Sequence, residues 1–125
     1  MKTQVLIADD SAIARMFVKR CAEVAGLHDA EFSEAKDGAD AFEKATSKPF
    51  DIFFMDLNMP KVHGREVLAN LVARGIRSRV VVISSAVNEH VRAELLQLGA
   101  FRVISKPFSP AELGEVIASA TEAAA

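Results

Sequence analysis

Four places in the chain carry residue types able to do chemistry together: Asp9-Asp10-Ser11, Asp56, Ser84-Ser85 and Lys106. Each closes a short apolar run. If the three aspartates met in one crevice, neighbouring carboxylates about 4 Å apart would repel by roughly 4 kcal/mol per pair at an effective dielectric of 20. Such a cluster needs a cation. Hard oxygen ligands from two or three residues, with room left for water, suit octahedral Mg²⁺ better than a many-ligand Ca²⁺ cage. One cysteine and three scattered histidines are a poor donor set for structural zinc. Each residue alone has a plainer reading. Asp9, Asp10 and Ser11 can cap a helix, and Asp56 can open the turn Leu57-Asn58-Met59-Pro60. Ser84 can bond backbone at a strand end, and Lys106 can lie on the surface. Their order, an acidic pair, a lone carboxylate, a hydroxyl and a lysine at the ends of four apolar runs, argues for one site.

The elements that must position them are legible as alternation. Apolar runs at Val5 to Ala8, Ala30 to Ala35 (the weakest), Ile52 to Met55, Val80 to Ile83 and Val103 to Ile104 have the unbroken character of strands buried on both faces. Helical spacing fills the intervals. Ile13, Phe17, Cys21 and Val24 form one stripe; Val67, Leu68, Leu71 and Val72 another. Val87, Val91, Leu95 and Leu98 form a third, and Leu113, Val116, Ile117 and Ala120 a fourth, with a weaker helix from Gly38 to Thr46 carrying Ala41, Phe42 and Ala45. Gly26, Gly75 and Gly99 suit C-terminal caps, and Pro110 the first turn of the last helix. The pattern predicts an α/β fold, an open parallel sheet with helices on both faces. Ligands in such sheets sit beyond the carboxyl ends of the strands.

The chain's 125 residues, 50% hydrophobic and 26% charged, are read as one domain over 1–125. A formal charge of −2 gives no basic face for direct nucleic-acid contact. The single cysteine, Cys21, fits a reducing cytoplasm. No apolar run approaches the ~18 residues of a membrane span, so no membrane insertion is expected. The start is too short for a signal peptide, and Ala123-Ala124-Ala125 reads as a frayed helix end.

Four motifs acquire a joint meaning: Val5-Leu6-Ile7-Ala8-Asp9-Asp10-Ser11; Asp51-Ile52-Phe53-Phe54-Met55-Asp56-Leu57-Asn58-Met59-Pro60 with Gly64; Val81-Val82-Ile83-Ser84-Ser85-Ala86; and Gly99-Ala100 leading to Lys106-Pro107-Phe108. With them the chain resembles the receiver domains of two-component response regulators, of the single-domain kind typified by chemotaxis regulators. The resemblance, rather than the spacing, implies strand order 2-1-3-4-5 and the flavodoxin-like receiver fold. It implies that Asp56 is the phosphoacceptor, attacking phosphorus on a kinase histidine to give an aspartyl phosphate. Asp10, Asp56 and the backbone carbonyl of Asn58 would then be the ligands of Mg²⁺, and Asp9 would hold a metal-bound water. Lys106 and Mg²⁺ would neutralise charge spread over the phosphoryl oxygens. Ser84 would bond a phosphoryl oxygen; it is chosen over Ser85 because it precedes Lys106 by the family's spacing and Ser85 alternates to the other strand face. The Lys106–Pro107 bond is cis in relatives. The implied partners are a sensor histidine kinase or phosphotransfer protein and a downstream protein bound through the last two helices and fifth strand. The only reaction implied is the chain's own phosphorylation and dephosphorylation.

One position departs from the family. Val103 stands where relatives carry Tyr or Phe, which puts a ring-coupled switch in doubt, and Phe101, two residues earlier, is expected on the same sheet face by alternation. His63 and His90 read as solvent-exposed. A Mg²⁺-dependent phosphatase would want a second acid where Asn58 stands, and a cap over the substrate. A flavin domain would cradle phosphate at its first turn, where Asp9 and Asp10 repel it.

Overall fold

Every side chain of Ile52–Met55 is buried, as in a strand covered on both faces, and this strand is the middle one of a five-stranded parallel sheet. The computed structural model describes residues 2–124, with side chains through residue 121. In chain order the elements are β1 (Gln4–Ala8), α1 (Ala12–Ala22), β2 (Glu31–Ala35), α2 (Gly38–Ser47), β3 (Ile52–Met55), α3 (Gly64–Ala73), β4 (Arg79–Ser84), α4 (Glu89–Leu98), β5 (Arg102–Ser105) and α5 (Pro110–Ala124). A π-helical turn over Glu23–Leu27 extends α1. At the terminal alanines, where a frayed end was expected, α5 is helical to Ala124, and Ala125 lies outside the described residues.

The sheet order is β2-β1-β3-β4-β5, as the resemblance implied. Strand alternation divides the core into two layers. Leu6, Phe53, Met55, Val80, Val82 and Val103 face α2, α3 and α4, where Ala41, Val67, Leu68, Leu71 and Leu95 meet them. Val5, Ile7, Ile52, Phe54, Val81 and Ile104 face Val18, Cys21 and Ala22 of α1 and Leu113, Val116, Ile117 and Ala120 of α5. Burying a side chain such as Phe53 or Phe54 stabilises the fold by roughly 1.5–3 kcal/mol.

Polar side chains set where the helices begin. Ser11 accepts from Ala14 N at 3.2 Å, Asp37 from Asp40 N at 2.7 Å and Asn88 from Val91 N at 2.8 Å. Ser109 and Glu112 form a reciprocal cap at α5. Gly26, Gly75 and Gly99 have positive φ, as expected for helix ends. At Gly99, φ is +129° and an added Cβ would come 2.7 Å from Val72 Cγ2, so glycine is required twice over.

Three expectations fail, the smallest at Val72 of the α3 stripe, which is 46% exposed. Of the stripe Ile13, Phe17, Cys21 and Val24, only Cys21 is buried; Ile13 is 79% and Val24 84% exposed, and Phe17 is about half exposed. The buried face instead carries Ala14, Val18, Cys21, Ala22 and Ala25, in part or fully. Its spacing is equally helical, and its small side chains let the helix approach the sheet. Phe101 does not share a face with Val103. It packs with the α1–α5 layer while Val103 packs with the other. Alternation holds only within an extended strand, and β5 begins at Arg102, after the bend that follows Gly99. The Phe101 ring is flanked by the guanidinium groups of Arg79 and Arg102, 5.7 and 4.6 Å from its centroid.

Candidate functional site

The crevice lies beyond the ends of the neighbouring strands β1 and β3, from which the chain proceeds to β2 on one side and to β4 on the other, the kind of place where parallel sheets bind ligands. Ala8 pairs with Met55, so the residues that follow, Asp9 and Asp56, emerge together. Asp56 N donates to Ala8 O at 3.0 Å and Asp9 N to Ala35 O at 3.1 Å, which locks both chain segments to the sheet. Carboxylate oxygens of Asp9, Asp10 and Asp56 all lie within 4.8 Å of one another. Asp9 is buried, Asp56 partly buried and Asp10 exposed.

From β5, Lys106 reaches over this cluster. Its Nζ stands 3.1 Å from Asp9 Oδ2 and 3.5 Å from Asp56 Oδ2. The Lys106–Pro107 peptide is cis, and Lys106 N donates to Ser84 O at 3.0 Å. Burial pushes the Asp56 carboxyl above its ordinary value; Lys106 draws it back only in part, and Asp9 pushes the same way as burial. Burial works to lower the Lys106 ammonium, but the charge of Asp56 and the hydrogen bond and charge of Asp9 outweigh it and hold the pKa above the ordinary range. One ammonium among three carboxylates leaves excess negative charge in a partly desolvated cleft. A divalent cation preferring oxygen ligands fits that donor set.

Ser84 is fully buried at the end of β4 and its Oγ accepts from Ala86 N at 3.2 Å, the local backbone bond that its plainer reading foresaw. Ser85 is exposed. Asn58 sits exposed in the loop between β3 and α3. Ser11 caps α1, while Asp9 Oδ1 accepts from Ser11 N at 2.9 Å, so Asp9 belongs both to the turn and to the acidic cluster. His63 and His90 are exposed as expected. His63 has a task the sequence reading missed, accepting from Arg65 N at 3.2 Å to cap α3.

Three other residues near the site were missed. Asp37 is buried and pairs with Lys61, Nζ to Oδ2 3.5 Å. Gly38 abuts Val62. Arg92 of α4 donates to the Val103 carbonyl and lies 3.4 Å from Ser105 Oγ. The Asp-Gly pair just after a strand was the available signal for the first two; nothing in the sequence marks Arg92 among the other arginines.

Residues 5–118 match the family model described as response regulator receiver domain. The chemotaxis protein CheY of Thermotoga maritima is 32% identical across 94% of this chain and 96% of its own length. A protein-glutamate methylesterase/protein-glutamine glutaminase of Myxococcus xanthus is 38% identical over 97% of this chain, which spans only 36% of that protein. Among solved structures, the receiver domain of the Francisella response regulator 1452 superimposes with a TM-score of 0.89 at 26% identity, covering 99% of this chain and 100% of that one.

Proposed function

The chain belongs to the response regulator receiver family, and from that premise we propose that it takes a phosphoryl group from a partner's phosphohistidine onto Asp56. An Asp56 carboxylate oxygen forms the new bond to phosphorus while the phosphorus–nitrogen bond of the donor breaks, and the departing imidazole takes up a proton. Asp10, Asp56 and the Asn58 carbonyl would hold Mg²⁺, with Asp9 binding one of its waters. Mg²⁺, when bound, supplies charge neutralisation for the phosphoryl oxygens. Lys106 supplies a second positive charge from the β5 side, already within reach of Asp56. Ser84 exchanges its local bond to Ala86 N for a phosphoryl oxygen, which draws on the loop before α4. Hydrolysis of the aspartyl phosphate returns the resting state, and no other substrate is turned over.

The observation that supports this reading is the convergence of three carboxylates with Lys106 Nζ within 3.5 Å of two of them. Incubation with acetyl phosphate and Mg²⁺ should add the mass of one phosphate. Persistence of that mass shift in Asp56→Asn would falsify the assignment.

Residues 1–125 act, on this proposal, as one cytoplasmic receiver unit. Among the described residues no helix is long and apolar enough to cross a membrane. The upstream partner is a sensor histidine kinase or phosphotransfer protein. Ile13, Met16 and Phe17 are exposed on α1, and Phe17 continues into an apolar groove with Val18, Pro107 and Phe108 that reaches Lys106. A donor presenting phosphohistidine to Asp56 covers this face. The downstream target binds the α4-β5-α5 face, where α4 meets the edge strand.

A further inference from the structure

We infer that Asp37 and Gly38, at the start of α2, are positioning residues for the metal-binding loop between β3 and α3. This rests on the proposed ligand set, in which the Asn58 carbonyl completes the protein's share of the Mg²⁺ shell. Asn58 lies in a segment that belongs to no regular element, so something other than a sheet ladder must fix it.

Two glycines hold this loop. On its inner side Gly64 N donates to Leu57 O at 2.8 Å, and an added Cβ there would fall 2.6 Å from Asp56 O. On its outer side Gly38 N donates to Pro60 O at 3.1 Å, an oxygen that also accepts from Val62 N at 2.8 Å. A Cβ on Gly38 would stand 1.8 Å from the Val62 carbonyl oxygen and 2.6 Å from its carbon. That is backbone against backbone, so no rotamer change relieves the clash. The loop must move.

Asp37 fixes the seat itself. One carboxylate oxygen caps α2 at 2.7 Å from Asp40 N, and the other lies 3.5 Å from Lys61 Nζ. Among the described residues Lys61 is the one non-glycine with positive φ, +71°, so the loop turns sharply just where Asp37 holds it. The segment leading into Asp37 is in turn tied to the acidic pair through Ala35 O, which accepts from Asp9 N. Mg²⁺ tolerates little departure from octahedral geometry. A shift of the loop therefore removes a ligand rather than stretching it.

The test is titration with Mg²⁺ alone, followed by backbone amide shifts in nuclear magnetic resonance. Gly38→Ala should weaken Mg²⁺ affinity about tenfold, the low end for loss of a group supporting metal ligands. Ala45→Gly, which destabilises the same helix at a buried position away from the loop, should stay within about twofold of the parent, separating positioning from general instability. Asp10→Ala, which removes a proposed ligand, should abolish binding. Parent-like affinity in Gly38→Ala beside loss in Asp10→Ala overturns the positioning role alone. Parent-like affinity in Asp10→Ala overturns the ligand set, and the positioning role with it. Should Gly38→Ala fail to fold, Asp37→Ser keeps a helix cap but loses the contact to Lys61. It should bind Mg²⁺ about tenfold more weakly with unchanged helix content by circular dichroism, and unchanged affinity there overturns the role as well.

Discussion

Helices α1 and α4 stand on opposite faces of the sheet and both begin at the crevice, yet they are held in different ways. α1 sets Val18, Cys21 and Ala22 fully into the core while turning Ile13, Met16 and Phe17 outward. α4 has one fully buried side chain, Leu95, and a guanidinium, Arg92, bonded to the edge strand. Apolar burial fixes a helix in proportion to the area removed from water, so α1 is firmly seated and α4 lightly so. The firmly held helix leaves apolar side chains exposed. The lightly held one follows Ser84 after a loop of four residues.

The largest test of that contrast is Leu95→Ala, expected to cost about 2–5 kcal/mol in urea denaturation. Amide exchange should then show protection lost across α4 before it is lost in α1. Equal loss in both helices would break the comparison. A beryllofluoride mimic of the phosphoryl group should come next, shifting exchange rates about tenfold between Ser84 and Leu98, since it favours whichever state presents the Ser84 hydroxyl. α1 should be silent in that experiment, and Ser84→Ala should erase the response. A response carried by Val103, lost in Val103→Ala but kept in Ser84→Ala, would show that a side chain on β5 works where loop movement is expected.

Phe17→Ser sharpens the α1 side. Half exposed and in ring contact with Phe108 at 5.4 Å, Phe17 should change stability by about 1–2 kcal/mol. Transfer from a cognate kinase should slow about tenfold, a loss usual for an aromatic contact residue, while labelling by acetyl phosphate stays unchanged. Slowing of both reactions would place Phe17 in the chemistry instead of the docking face. Arg92→Ala should cost roughly 1 kcal/mol and raise exchange in α4 alone.

The smallest effect concerns the crevice between the helices. Because the folded-state pKa of Asp56 is raised, its ionisation opposes folding at pH above the ordinary value and has no effect below it. Without metal, Asp56→Asn should therefore melt slightly higher than the parent at pH 7. That advantage should disappear as the pH falls below 3.8, the ordinary aspartate value. A lower melting temperature at pH 7 would show that the Lys106 contact dominates burial.

Most of the fold was legible because unbroken apolar runs such as Ile52–Met55 have no other use, and β3 has those limits. The α5 stripe was legible for the same reason, since Leu113, Val116, Ile117 and Ala120 are all buried. The phase of α1 was not, because hydropathy ranks Ile13 above Ala14 and Ala22, whereas close packing on a sheet selects small side chains. Asp9, Asp10, Asp56 and Lys106 could be picked out because each ends a strand. The role of Gly38 was not read, although the Asp-Gly pair after β2 marks the position, because what matters there is a backbone 1.8 Å from a Cβ that does not exist, and no residue type advertises its neighbour.

The strand order also governs how the chain assembles. No two neighbouring strands are joined by a hairpin. Three of the four pairings close segments of about 21–27 residues, but β1 with β3 closes about 47, as between Val5 and Ile52. Closing the longer segment costs only about 0.6 kcal/mol more in chain entropy, yet it joins what are otherwise two separate pieces, β1–β2 and β3–β4–β5. Asp9 and Asp10 travel with one piece, Asp56 and Lys106 with the other. The charged crevice is thus a seam that exists only once both pieces have met, and its repulsion opposes the pairing of β1 with β3 rather than the folding of either piece.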